Sequence, residues 1–178
     1  ASIVVARKNV HDDLLVPLCR ELVTYAGLRM EDVGTVAVSA GPGSYTGLRI
    51  GMAAAKGLCL GLGIPLVAVP TCDAAAGFLA GSGACDEEHI AVCLDAKNDE
   101  VYIATYVVRN DSAIRRHPVA ILSSTEAASL LDGGTLLVGD GAARVAEQAS
   151  VKIRLAADPV AAFRGDGVAL LGERLAGG

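Results

Sequence analysis

Three histidines, five cysteines and one glycine-rich turn are the places where this 178-residue sequence could do chemistry. The histidines stand at 11, 89 and 117, so none lies four residues from another. That helical spacing is what turns two imidazoles toward one metal ion. Standing alone at a helix start and in loops, they read as solvated or capping groups. Ser39 and Ser44 have no histidine near them in sequence, and no GxSxG elbow is present to expose a serine nucleophile. The cysteines, at 19, 59, 72, 85 and 93, are odd in number and include no CxxC pair. Cys19, Cys59 and Cys93 sit inside apolar patterns, as buried free thiols do in a reducing compartment.

The glycine-rich stretch is "SAGPGSYTGLRIGMAAAKGL", residues 39–58. A glycine turn between a strand and a helix can hold phosphate on the free N–H groups of the helix. Here Gly47 is followed by Leu48 and Arg49, without the lysine and hydroxyl of a P-loop, and positions 41, 43 and 46 break the GxGxxG spacing. The turn therefore reads as a strand-to-helix connection capped by Ser44 or Thr46. On a helical wheel Gly47, Gly51, Ala54 and Leu58 share one stripe, flanked by Ile50 and Gly61, while Arg49 and Lys56 lie together opposite. An interior glycine costs a helix roughly 0.5–1 kcal/mol relative to alanine, which close approach of another backbone can offset. That backbone could belong to another subunit or to the same chain.

Around this stretch, elements alternate. "SIVVA" (2–6) is expected as a strand, and a helix should open at His11–Asp13, with Leu15, Leu18, Leu22 and Tyr25 as its apolar stripe and Gly27 as its cap. Pro17 sits early in it. "TVAVSA" (35–40) and "IPLVAVP" (64–70) read as buried strands, each followed by a helix, near 44–62 and 72–79. That alternation implies parallel strands with helical crossovers. After a polar break at 81–89, "IAVCLD" and "VYIATYVVR" read as a hairpin whose tip carries Asp99 and Glu100 in solvent. "PVAIL", a short helix near 125–131, "TLLVGD", a helix from 142, "VKIRL" and a closing helix within 159–176 complete the chain.

Composition narrows the function classes. The chain is 52% hydrophobic but only 3% aromatic, too few rings to stack bases, and its net charge is −5. An independent RNA-binding module is thereby disfavoured, since gripping phosphates needs a basic face. The longest apolar run, 57–70, is short and broken by Pro65, so no membrane span is expected, and with no signal peptide a cytoplasmic address follows.

"GPGSYTGLRIG" followed by "AKGL" closely resembles the signature of the TsaB, or YeaZ-like, family of bacterial tRNA threonylcarbamoyladenosine proteins, a paralogue of the TsaD, glycoprotease-type proteins. "HDDLLVPL", "GIPLVAVPTCDAAA", "LDAKNDEVYIATY" and "VGDGA" resemble further segments of it in order, so that the likeness runs from His11 nearly to the C-terminus. The resemblance implies an α/β, actin-like (ribonuclease-H-like) fold of two lobes with mixed sheets, divided at 1–88 and 89–178. Such folds begin with a strand ending in a phosphate turn and a β-hairpin, and only about four residues separate "SIVVA" from the helix opening, so either the first strand is missing from the chain as given or a hairpin between roughly Arg7 and Asn9 is absent. By fold analogy Asp95 could be an acidic phosphate-site residue, although strand-end aspartates commonly just start turns.

For function, the resemblance implies a non-catalytic scaffold subunit. Its partner would be a TsaD-type paralogue, with a TsaE-type ATPase reached through it, tRNA contacted only indirectly, and a homodimer possible through the same helices. TsaD-type proteins hold metal through two histidines four apart, which this chain lacks, so no catalytic, cofactor or metal residue is assigned. The expected partner surface comprises His11, Leu14, Leu15, Leu18 and Leu22 on one helix, and Tyr45, Gly47, Ile50, Gly51, Ala54, Ala55 and Leu58 on the other. The alternative is an enzyme in its own right, a glycoprotease-like peptidase or actin-fold ATPase.

Overall fold

A computed structural model describes residues 1–4, 11–82, 89–158 and 160–177, the side chains of 11–13 excepted. Two sheets organise it. The smaller pairs β1 (Val36–Ser39) with β2 (Leu66–Val69) in parallel, Val36 opposite Leu66 and Ser39 opposite Val69. Two parallel strands need a crossover, and here it is α2 (Tyr45–Leu62). Side chains alternate across β1, so its two faces meet different helices. A Cβ at Gly51 of α2 would sit 3.8 Å from Val38, and one at Gly172 of α6 (Gly165–Ala176) would sit 2.4 Å from Ala37. The last helix of the chain thus seals the first strand, by a contact only glycine allows.

The larger sheet runs β5-β4-β3-β6-β7, with β3 (His89–Lys97), β4 (Glu100–Arg109) and β5 (Ser112–Ser123) antiparallel and β6 (Leu136–Val138) and β7 (Arg154–Leu155) added in parallel. The expected mixture of parallel strands and a hairpin is present. Odd and even residues of β3 divide the core. Ile90, Val92 and Leu94 face α3 (Thr71–Gly81) through Cys72, Ala75 and Ala76. Ala91 and Cys93 face α4 (Ser124–Ser129) and α5 (Ala142–Gln148) through Ala127 and Val145. Alanine and valine dominate these layers, which fits a chain poor in aromatics.

Several boundaries differ from the sequence reading. Residues 2–4 are not in a strand, and the rest of "SIVVA" lies outside the described residues. Among the described residues β1 therefore pairs with β2 alone. Beside it, a cavity of about 490 Å3 opens between α1 (His11–Tyr25) and α6, lined by Leu15, Leu18, Leu22, Ala37 and Ala169. Pro17 is the seventh residue of α1 rather than part of its first turn, so the carbonyl four residues back receives no backbone N–H. "PVAIL" is only the end of the 12-residue β5, whose charged, half-exposed start hid its strand pattern. "VKIRL" yields two strand residues at the sheet edge.

Candidate subunit-contact site

The turn before α2 shows what its glycines do. Gly41 and Gly43 have φ of +101° and +155°, a region closed to most side chains. Positions for a Cβ on both look onto Leu48, at 3.3 and 3.9 Å, so an apolar side chain lies beneath the turn. Its backbone is tied to the second strand and third helix: the Ala40 N–H donates to Val69 and the Thr71 N–H to Gly41 at 2.8 and 2.9 Å. The hydroxyls of Ser39 and Thr71 share a hydrogen bond of 2.6 Å. Ser44 caps α2, its hydroxyl accepting from the Gly47 N–H at 3.3 Å. Thr46, the other candidate, lies inside the helix. The turn is a connector stitched to its neighbours.

The helix it launches has three faces. Inward, Gly51 packs over Val38, Ala55 is buried, and the buried Cys59 thiol donates to the Pro65 carbonyl at 3.4 Å. Gly47, Ile50, Ala54 and Leu58 are half-buried on the flanks. Outward, Tyr45, Arg49, Ala53, Lys56, Gly57 and Leu60 are exposed, Tyr45 at 74% and Leu60 at 87%. The surface residues expected from the sequence are thus not brought together on one patch. On α1, Leu14 is 40% exposed, and it joins Leu15, Leu18 and Leu22 around the cavity beside β1. The His11 side chain lies outside the described residues.

Arg49, Lys56 and Leu60 form the outward features that the sequence reading left out of the surface. An (i, i+7, i+11) spacing against an apolar helix was the signal available. Arg49 is organised locally: its Nη1 donates to the Tyr45 hydroxyl at 3.1 Å and its guanidinium carbon lies 5.3 Å from the ring centre.

Two polar clusters lie on the larger sheet. At the ends of β3 and β6, Asp95 accepts from Lys97 at 3.0 Å and from Arg144, and its own N–H donates to Asp140 at 2.9 Å. The hydrogen bonds from Lys97 and Arg144 hold the Asp95 carboxyl down at about 2. With two cations already on it, Asp95 works as the anchor of the β3–β4 turn, where Lys97, Asn98 and Asp99 all take positive φ. The second cluster joins α3 to the sheet. Asp73 accepts from the Tyr106 hydroxyl at 2.7 Å and from both ends of the Arg115 fork. Burial first, then donation to Asp73, pushes the Tyr106 phenol far above its ordinary range. Residues 33 and 42 positions apart carry no spacing signal, so this link was not visible in the sequence.

The remaining histidines are satisfied one by one. His117 shares a 2.7 Å hydrogen bond with Thr105, and His89 lies 3.6 Å from Asp132, which also pairs with Arg116. Among the described residues no three His, Cys, Asp or Glu side chains are grouped to hold a metal ion.

Comparison with known families resolves the kinship. The model of the TsaD family, tRNA N6-adenosine threonylcarbamoyltransferase, matches residues 5–170. The chain belongs to the TsaD family. Its relatives include a tRNA N6-adenosine threonylcarbamoyltransferase of Bordetella avium, 48% identical over 33% of this chain and 17% of that one, and several TsaB proteins. It is 35% identical to the tRNA threonylcarbamoyladenosine biosynthesis protein TsaB of Escherichia coli over 54% of this chain and 41% of that one. It is 33% identical to the TsaB of Bacillus subtilis over 58% and 43%. The chain thus spans less than half the length of these TsaB relatives. A crystal structure of YeaZ from Pseudomonas aeruginosa overlays with a TM-score of 0.77 at 27% identity, over 94% of this chain and 78% of that one. A Pseudomonas aeruginosa protein described as similar to peptidase YEAZ overlays at 0.80 and 27%, over 96% and 79%. The α/β class expected from the sequence is the fold of this TsaD-family chain, shared with the YeaZ structures. No helix among the described residues is long and apolar enough to cross a membrane.

Proposed function

We propose that the chain is a non-catalytic scaffold subunit of the machinery that places threonylcarbamoyl on the adenosine beside the tRNA anticodon. Its partner is a TsaD-type paralogue, and a TsaE-type ATPase joins through that partner. The observation that carries the reading is the pairing of two facts: relatives named for this pathway, and a histidine set that offers no pair four apart. α1 and α2 form the contact surface, and the inward-facing members Gly51 and Ala55 contribute by seating α2 on its own sheet. The lobes divide near residues 88 and 89, within a polar break. With a net charge of −5, tRNA is reached through the partner. The site of action is the cytoplasm, and self-association through the same helices is the alternative use of that surface.

The test is co-purification with the TsaD-type paralogue of the same organism, followed by a tRNA modification assay with and without this chain. Modification that needs both proteins supports the reading. Equal modification by the paralogue and ATPase alone overturns it. The likeness of one structural relative to a protein called peptidase YEAZ keeps a second reading in view. Peptide hydrolysis by this chain alone, lost on a point substitution within it, would establish that reading instead.

A further inference from the structure

β5 carries an extra residue against its neighbour. Thr105 of β4 stands opposite His117 and Tyr106 opposite Arg115, so Arg116 is the added residue of a β-bulge, with nothing opposite it on β4. Bulges of this kind re-aim a side chain. Arg116 runs to Asp132, just past α4, and pairs with it through Nη1 alone; its other N–H groups have no partner among the described residues. His89, at the start of β3, lies 3.6 Å from the same carboxylate. Arg109, near the end of β4, is exposed, and its guanidinium has no ion-pair partner among the described residues. These four side chains line one cleft of about 620 Å3. Two guanidinium groups against one carboxylate leave a local surplus of positive charge, in a chain whose net charge is −5.

We propose that this cleft binds a singly charged phosphate group between Arg109 and Arg116. The proposal goes beyond the scaffold reading and uses neither α1 nor α2. Charge sets the size of the ligand's demand: the surplus is one, which a phosphodiester or a monovalent phosphate answers without a second cation. Geometry separates phosphate from carboxylate. A carboxylate offers its two oxygens in one plane to a single guanidinium fork, whereas the oxygens of a phosphate point in several directions and can meet groups arriving from two strands. Asp132 holds Arg116 in place before the ligand arrives, so the cost of ordering that long side chain is already met. The internal phosphodiester of a nucleic acid and a free or terminal phosphate share this chemistry.

The experiment titrates the full chain with inorganic phosphate, a dinucleoside monophosphate and sodium acetate, at constant ionic strength, and follows backbone amide shifts by NMR. Inorganic phosphate is expected to move the amides of Val107, Arg109 and Arg116 saturably, and acetate at the same concentrations is not. Arg109→Gln and Arg116→Gln should each weaken phosphate binding at least about tenfold, as loss of a charge-assisted hydrogen bond does. Arg109 touches no described ion-pair partner, so its variant removes the charge and leaves the fold intact. Arg174→Gln lowers the net charge equally from α6, outside the cleft, and should bind phosphate as the wild type does. Saturable shifts with the dinucleoside monophosphate as well sustain the proposal and assign the cleft to a nucleic-acid backbone. Shifts with inorganic phosphate alone sustain it and assign the cleft to a free or terminal phosphate. No saturable shift with either probe, an equal response to acetate, or an equal loss in Arg174→Gln overturns it. The co-purification and modification test of the scaffold reading does not involve this cleft, so either can fail alone.

Discussion

Substituting Gly172→Ala tests how the last helix is held against the first strand. In an unconstrained helix this change stabilises by about 1 kcal/mol, because glycine is the more flexible residue in the unfolded chain. Here the new methyl would lie 2.4 Å from the Ala37 Cβ, far inside the ~3.5–4.0 Å at which carbon atoms pack. The nearest relief in the other direction is closed by Val69, whose Cγ2 would be 3.5 Å away. α6 must therefore back away from β1, and overpacking of this kind costs ~1–3 kcal/mol. Net of the helix gain the variant should lose up to about 2 kcal/mol, which for a chain of this size is a fall in Tm of up to about 8 °C. Thermal unfolding followed by circular dichroism reads it directly. A second substitution, Ala37→Gly, removes the obstructing methyl and should recover part of the loss in a double-mutant cycle. A Tm of Gly172→Ala at or above that of the wild type would refute the close-contact reasoning.

Three further outcomes are expected. Gly51→Leu forces a branched side chain between α2 and Val38, so Tm should drop, with overpacking of ~1–3 kcal/mol; an unchanged Tm with a weakened complex would put Gly51 at the subunit contact instead. Asp95 titrates near 2 in the folded protein, below its ordinary value of about 3.9, so its contribution is fully present above pH 4 and is lost as pH falls from about 4 to 2. Asp95→Asn should accordingly lower Tm at pH 7, and the gap from wild type should close near pH 2. Burial pushes the Cys72 and Cys93 thiols up to about 12, so a short pulse of iodoacetamide at pH 8.5, read by mass spectrometry, should label neither until denaturant is added.

What the sequence made legible follows period and punctuation. Ser44 caps α2 as its residue type allowed, and the apolar runs expected as buried strands do form strands at 36–39 and 66–69, but mostly half-buried ones, with Val69 alone fully buried among them. The division of β3 into two faces is likewise written in Ile90-Ala91-Val92-Cys93 once a helix is known on each side. The glycine stripe was ambiguous for a physical reason. A small residue permits close approach without saying whose backbone approaches, and Gly51 turned out to face Val38 of its own chain. Contacts set by tertiary placement left no trace: Asp73 finds Tyr106 and Arg115 only after α3 has docked on the large sheet. The same holds for Gly172, whose need to be glycine depends on Ala37, at the other end of the chain.

That end-to-end contact has a consequence during synthesis. The ribosome releases β1, α2 and β2 long before residues 165–176 exist, so one face of the small parallel sheet must wait uncovered while the whole larger sheet is made. Its Ala37 and Val69 side of apolar surface is then a target for holding chaperones or for sticking to neighbouring nascent chains. The β3–β4–β5 meander, built from local pairings, can form in the meantime without α6. Emergence of residues 165–176 becomes the event that completes the first layer.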